Sequence, residues 1–386
     1  MTALQVPPMK GFLRNLGWPA VCGLLIALLI IQQFPQWLGL PAHSSYQMAP
    51  ALTLPSSNGV VSYSDAVSKA APAVANIFTT KQIPSRNNSP FDTPTLRDYS
   101  NTLPAPSRRQ SSLGSAVILR SDGYLLTNNH VVADADEILI ALRDGREAIA
   151  ELIGTDPETD LAVLKINLPD LPTVTISTEE QQSTGDVVMA IGNPFGLGQT
   201  VTMGIISATG RNQLGLNTYE DFIQTDAAIN QGNSGGALID AHGRLIGINT
   251  AIFSQSGGSQ GIGFAIPAPL AVNVMEEIIE RGRVIRGWLG VEVQPLTSDL
   301  AESFGLVKTE GIVVSGLYRN GPAWSAGLRP GDVILRIDDA AITNGRHAMN
   351  QVARAKPGSQ VQLEVLRNGE AMSFTAEVGV RPTLGS

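Results

Sequence analysis

The sequence predicts a predominantly all-β protein, with two folded β domains behind one apolar N-terminal segment. Two observations support this. Short runs of β-branched and aliphatic residues, broken by Gly, Asn and Asp turns, recur between residues 74 and 253 and resume after residue 284. The 386-residue chain also holds 39 Gly and 24 Pro, a composition suited to frequent turns. Its length allows two or three domains. Hydrophobic residues at 43% suffice for packed cores, and charged residues at 16% fall below the globular average of about 25%, which excludes wholesale disorder. A net charge of −8 argues against binding to phosphate backbones, so no nucleic-acid partner is expected.

No charged residue lies between Arg14 and Asp65. Within that stretch runs WPAVCGLLIALLIIQQFPQW, with Trp18 and Trp37 19 positions apart. A helix would separate them by about 29 Å, close to the hydrocarbon thickness of a bilayer. Tryptophans at both ends, with Lys10 and Arg14 ahead of them, predict one N-terminal transmembrane helix in a bacterial inner membrane. Residues 1–16 are then cytoplasmic, 17–38 form the anchor, and 39–60 form an uncharged periplasmic tether. A cleaved leader is the other reading, with a weak site near Leu40-Pro41-Ala42. The one cysteine, Cys22, falls in the anchor, so neither an intrachain disulfide nor a Cys-x-x-Cys site is possible.

From Tyr63 onward the strand-like runs are VANIFTT (74–80), SAVIL (115–119), YLLTNNHVV (124–132), EILIAL (137–142), LAVLKI (161–166), VVMAIG (187–192), VTMGIISAT (201–209), GALI (236–239) and LIGINTAIF (245–253). They predict a barrel or sandwich. The stretch from Lys81 to Ser112 is rich in Pro, Ser and Asn, lacks an apolar period, and reads as a long mobile loop. Leu270, Val274 and Ile278 form a helical stripe, with Pro267 at its start and Gly282 at its end. That helix closes a first domain spanning 61–282, and a second β-rich domain spans 283–386.

The strongest chemical signal is Gly232-Asn233-Ser234-Gly235-Gly236, running into the strand ALI. Glycines around a serine let the main chain turn sharply and aim its N–H groups at one point beside the hydroxyl. An ordinary Gly-rich hairpin is the alternative. A catalytic serine needs a base, and the chain has four histidines. His43 falls in the tether, His242 in a turn and His347 in the second domain. His130 alone ends a hydrophobic strand of the first domain. An acid must then hold the imidazole tautomer. Asp160 precedes the buried run LAVLKI, where a carboxylate can be both fixed and sheltered. Asp134, Asp136 and Asp156 lie nearby as turn or surface groups. The chain order His130, Asp160, Ser234 is that of chymotrypsin-type enzymes. No metal, nucleotide or organic cofactor is implied.

At this point the sequence resembles the HtrA (Deg) family of serine proteases. TNNHVV, TDLAVLKI, AIGNPFGLG, GIISATGR, QTDAAINQGNSGGAL and GIGFAIP carry the resemblance across most of residues 60–270. It implies a chymotrypsin-like double β-barrel, homotrimers, and an oxyanion hole at the N–H groups of Gly232, Asn233 and Ser234. In the second domain, RGWLGVEV (286–293) and GPAWSAGLRPGDVILRIDD (321–339) resemble a C-terminal PDZ domain. Such domains add a peptide strand to an open edge and hold its terminal carboxylate in backbone N–H groups. By resemblance these belong to Trp288, Leu289, Gly290 and Val291, with core packing the alternative for Trp288. Asp339 departs from the pattern, where Gly is common.

One anchor, one protease domain and one PDZ domain resemble the DegS type of the family. That resemblance implies a periplasmic stress sensor. C-terminal tails of misfolded outer-membrane proteins would bind the PDZ domain and trigger the first cut in a membrane-spanning anti-sigma factor. It also implies a switch at Arg211, after GIISATGR, reaching toward the PDZ domain. A solvated turn charge is the other reading of Arg211. A general quality-control protease is the other reading of the whole.

Overall fold

The computed structural model describes residues 62–84, 107–177, 182–193, 198–252, 258–304 and 310–382, together with Gly23 and Leu25. Gly23 and Leu25 are helical. The rest of the expected anchor, the tether and His43 lie outside the described residues. Among the described residues, no helix is long and apolar enough to cross a membrane.

A helix, α1 (Ser64–Ala70), leads into the first sheet. Its strands are β1 (Val74–Pro84), β2 (Ser107–Ile118), β3 (Tyr124–Thr127), β4 (Glu137–Ala141), β5 (Glu147–Ile149), β6 (Glu151–Asp156) and β7 (Leu161–Lys165). They pair antiparallel in the order β5-β4-β1-β2-β3-β7-β6. One expectation is corrected here. The Lys81–Ser112 stretch is not loop throughout, because β1 and β2 stay in register from Lys81↔Gln110 to Pro84↔Ser107. Backbone pairing needs no apolar period, so a periodicity argument misses such a hairpin arm.

The second sheet comprises β8 (Thr175–Ile176), β9 (Val187–Gly192), β10 (Thr200–Arg211), β11 (Phe222–Thr225), β12 (Ala237–Asp240), β13 (Arg244–Ile252) and β14 (Gly263–Pro267). Its order is β12-β9-β10-β11-β14-β13-β8, and β12 also pairs with β13. That extra pairing closes six strands into a barrel and removes their free edges. The helix expected next, α2 (Ala268–Arg281), ends at Gly282 in the left-handed region, φ 72°. Val274, Met275 and Ile278 on its apolar face are buried. Ile278 settles over Gly154 of β6, where a Cβ would lie 2.8 Å from the Ile278 Cγ2. Strand β7 is buried along Leu161–Leu164. That burial explains why it reads as a continuous apolar run and does not alternate.

Beyond Gly282, β15 (Gly287–Trp288) pairs with β22 (Gly379–Val380). A separate sheet holds β16 (Val291–Pro295), β17 (Ile312–Leu317), β18 (Val333–Ile337), β19 (Ala340–Ala341), β20 (Gln360–Arg367) and β21 (Glu370–Glu377). Its core of Leu289, Ile312, Val314, Ile334, Leu363 and Val365 is distinct from that of the first domain. A ten-residue helix, α3 (Gly345–Arg354), is capped by the Asn344 side chain, which accepts the His347 N–H.

Candidate active site and peptide groove

Register sets the first two members of the site. Thr127 of β3 pairs with Ala162 of β7, so the residues just past β3 and just before β7 share one end of the sheet. His130 sits there, though not on a strand as expected. The chain leaves β3 at Thr127 and forms a single helical turn, Asn129–Val132. Asp160 faces it from the left-handed region, φ 59°, a conformation aspartate tolerates better than most residues. The Asp160 carbonyl accepts the Asn129 N–H at 3.1 Å and the Asn128 amide at 3.0 Å. Its carboxylate accepts the His130 N–H at 2.9 Å through Oδ1 and meets His130 Nδ1 at 2.7 Å through Oδ2. An ionised carboxylate only accepts hydrogen bonds, so Nδ1 carries the proton and Nε2 keeps the lone pair.

Ser234 enters from the second sheet, at the turn before β12. The Gly235 N–H donates to the Asn249 carbonyl at 2.8 Å, and the Asn249 N–H donates to the Gly236 carbonyl at 2.9 Å. Two glycines are required here by space. A Cβ on Gly235 (φ 80°) would lie 2.1 Å from the Ser115 carbonyl oxygen, and one on Gly236 would lie 2.2 Å from that of Ile191. Thr250 of β13 ties the two sheets together. Its hydroxyl donates to Asp160 Oδ2 at 2.9 Å, while its carbonyl accepts the Ser234 hydroxyl at 3.1 Å. Sequence reasoning missed Thr250, because nothing in LIGINTAIF marks which position faces the site. The Asn233 N–H is engaged with the Asn230 carbonyl at 2.9 Å. Among the described residues the Gly232 and Ser234 N–H groups have no such partner, so two of the three expected amides are free to meet an anion.

The competing acids fall elsewhere. Asp134 pairs with Lys81 at 2.9 Å, and Asp136 is exposed. Asp156, expected as a turn group, is buried in an ion pair with Arg286.

In the second domain, Trp288, Leu289, Gly290 and Val291 run along one side of a cleft of about 320 Å³, with Ala348, Met349 and Val352 of α3 also lining it. Gly290 turns in the left-handed region, φ 70°. The Gly290 carbonyl accepts the Tyr318 N–H at 2.9 Å, and the Leu289 carbonyl accepts that of Ala323 at 2.9 Å. Trp288 is half-buried and meets Tyr318 edge-on at 5.3 Å between ring centres, so it lines the cleft as well as packing.

Comparison with known proteins agrees with both halves. Residues 114–248 match the model for a trypsin-like peptidase domain, and residues 287–378 match that for a PDZ domain. A probable periplasmic serine endoprotease DegP-like of Halomonas elongata is 44% identical over 338 residues, which cover 83% of this chain and 71% of the relative. One of the same description from Pseudomonas putida is 42% identical over 351 residues, covering 87% and 73%. Among solved structures, the HtrA-type protease AlgW with a decapeptide is 64% identical at a TM-score of 0.69, covering 84% of this chain and all of that one. The serine endoprotease of Yersinia pestis is 41% identical at a TM-score of 0.57, covering 84% of this chain and 100% of that one. The chain belongs to the HtrA-type family of periplasmic serine endoproteases.

In this HtrA-type chain the loop after β10 binds the second domain through residues 217–221. Arg211 is exposed, and its Nε donates to Gln224 Oε1 at 2.9 Å on the neighbouring strand. Arg346 of α3 donates to the carbonyls of Asn217 and Thr218 at 2.6 and 2.7 Å. Asn350 donates to the Glu220 carbonyl at 2.5 Å, and Arg354 pairs with Asp221. The Glu220 side chain, fully buried, shapes the loop by accepting the N–H groups of Leu214, Leu216 and Asn217. Tyr219 lines the cleft beside Trp288 from the protease side. Its hydroxyl accepts a bond from Arg381 at 2.7 Å, and burial pushes its phenol above the ordinary tyrosine range, partly offset by the charge of Arg381. Nothing in the pattern YED of residues 219–221 announced this role.

Proposed function

We propose that Ser234, His130 and Asp160 are the catalytic triad of this endopeptidase. Ser234 Oγ attacks the scissile carbonyl carbon, and its proton passes to His130 Nε2. Asp160 holds the imidazole in place and stabilises the positive charge it gains. To react, the hydroxyl leaves the Thr250 carbonyl and turns toward His130. The Gly232 and Ser234 N–H groups bind the negative oxygen of the tetrahedral intermediate, where fixed dipoles are worth most. His130 then protonates the leaving amine. Water, activated by the same imidazole, releases the acyl group and restores Ser234. The observation behind this reading is the 2.7 Å contact between His130 Nδ1 and Asp160 Oδ2, which sets the tautomer the mechanism needs.

We further propose that the protease is a membrane-anchored homotrimer of the inner membrane. C-terminal tails of outer-membrane proteins bind the cleft beside Trp288, Leu289, Gly290 and Val291 and switch it on. Its substrate is then the periplasmic part of a membrane-spanning anti-sigma factor, to which it makes the first cut. The cleft supports this reading, since Tyr219 of the protease lines it and an occupant would touch both domains. A ligand shifts an equilibrium only by binding one state better than the other, and such a shared wall supplies a differential contact.

The test is cleavage of a candidate anti-sigma periplasmic domain with and without peptides ending like outer-membrane porins, with Ser234→Ala as the blank. Cleavage that needs the peptide and its free carboxylate supports the sensor. Cleavage equally fast without peptide leaves the triad standing and replaces the sensor with a constitutive quality-control protease.

A further inference from the structure

Ser115 lies in β2, fully buried beneath the turn that carries Ser234. It makes four hydrogen bonds. Its N–H donates to the Ser234 carbonyl at 2.9 Å, and its carbonyl accepts the Thr127 hydroxyl at 2.7 Å. Its own hydroxyl donates to the Gly232 carbonyl at 2.8 Å and accepts the Asn193 N–H at 3.0 Å. Asn193 in turn accepts the Gly198 N–H through its Oδ1 at 2.8 Å. A buried hydroxyl is destabilising unless its donor and acceptor are both engaged, as they are here.

The bond to Gly232 has a geometric consequence. The peptide unit joining Gly232 to Asn233 is planar. Ser115 holds its oxygen, and the Asn230 carbonyl holds its N–H at 2.9 Å. A plane pinned at both ends cannot swing about its long axis. Without the pins it could, because Gly232 sits at φ 100° and a glycine reaches either hand of backbone. The amides on either side, Gly232 N–H and Ser234 N–H, take their direction from that plane.

We propose that Ser115 is a positioning residue for the oxyanion hole: its hydroxyl fixes the Gly232–Asn233 peptide and couples it to the Asn193 backbone. Ser115 touches no reacting atom and acts through the two flanking amides. The proposal rests on Ser234 being the nucleophile.

The test compares the full chain with its Ser115→Ala, Ser115→Thr, Ser115→Cys and Ser234→Ala variants. The readouts are steady-state cleavage of an unfolded protein, the rate of labelling by a serine-directed fluorophosphonate, and the thermal midpoint. One oxyanion donor is worth about 10²–10³ in kcat, so misaimed donors should cost about 10- to 100-fold. Ser115→Ala should lose that much in kcat and in labelling rate, with KM within about threefold. Ser115→Thr keeps the hydroxyl and should recover most of the rate. If its extra methyl prevents folding, Ser115→Cys decides, being close in volume but a weak donor. Folded and slow supports the proposal, and folded and fast overturns it. A Ser115→Ala rate within twofold of the parent also overturns it. So does a loss in step with the thermal midpoint that Ser115→Thr does not repair. Ser234→Ala separates the two levels of argument. Residual cleavage there sinks the triad itself, whereas a dead Ser234→Ala beside a fast Ser115→Ala sinks only the role of Ser115.

Discussion

At the residue scale, Asp160 combines two demands that few side chains meet together. It occupies the left-handed region at φ 59°, and its carboxylate serves His130 twice and Thr250 once. Asparagine tolerates the same backbone and keeps one carbonyl oxygen, so Asp160→Asn should fold. Its amide can donate to Nδ1, however, and would favour the tautomer with the proton on Nε2. The expected result is a fall in kcat of about 10³–10⁴ with little change in KM or thermal midpoint. Steady-state kinetics beside a melting curve checks this, and a loss below tenfold would mean another acid serves His130.

At the scale of elements, helix α2 clamps the first sheet from outside. Its buried Ile278 rests on Gly154, where strand β6 can offer no side chain without collision. The contact bridges residues 124 positions apart, so it is long-range tertiary packing and not a local preference. Ile278→Ala removes a fully buried aliphatic group over a position with no Cβ to fill the gap, and should cost about 2–4 kcal/mol in urea unfolding. A cost under 1 kcal/mol would show the helix to be peripheral. Gly154→Ala is the opposite error, overpacking the same spot, and should also destabilise.

At the scale of the whole chain, the two domains meet through buried charge. Arg286 binds Asp156 and also reaches Glu158 at 3.0 Å, and its guanidinium lies over the Tyr219 ring at 4.4 Å. Arg286→Ala strands the Asp156 carboxylate in a buried site and should cost about 3–5 kcal/mol, whereas replacing both partners with apolar residues should restore much of that. A urea series on the single and double variants distinguishes the outcomes, and equal losses in both would refute the pairing argument. Tyr219 adds a pH dependence. Burial favours its neutral phenol, so the folded chain holds that proton more tightly than the unfolded one. Its contribution is complete below the unfolded value of about 10 and is lost as pH rises through the higher folded value. Ultraviolet titration of the six tyrosines should therefore show one that ionises late and disappears in Tyr219→Phe. Six ionising at or below the ordinary value would contradict the burial argument.

Much of this was legible in the residues alone. Short β-type runs foretold the two β domains, and the single suitable histidine and the acid before LAVLKI pointed to the two side chains that the fold sets 2.7 Å apart. Those signals are local, since strand pattern, turn chemistry and residue type are written in adjacent positions. The tertiary structure decided what depends on distant partners. Asp156 reads as a turn residue until Arg286, 130 positions on, buries it. Nothing local in residues 217–221 announces that the carbonyls of Asn217, Thr218 and Glu220 accept bonds from Arg346 and Asn350, some 130 positions on. Thr250 and Ser115 carry no local mark at all, and each becomes visible only when two sheets bring its hydroxyl against Asp160 or Gly232. The physical reason is the same in every case: sequence periodicity reports which face of an element is apolar, while a polar side chain takes its role from whichever donor or acceptor the fold sets within 3 Å of it.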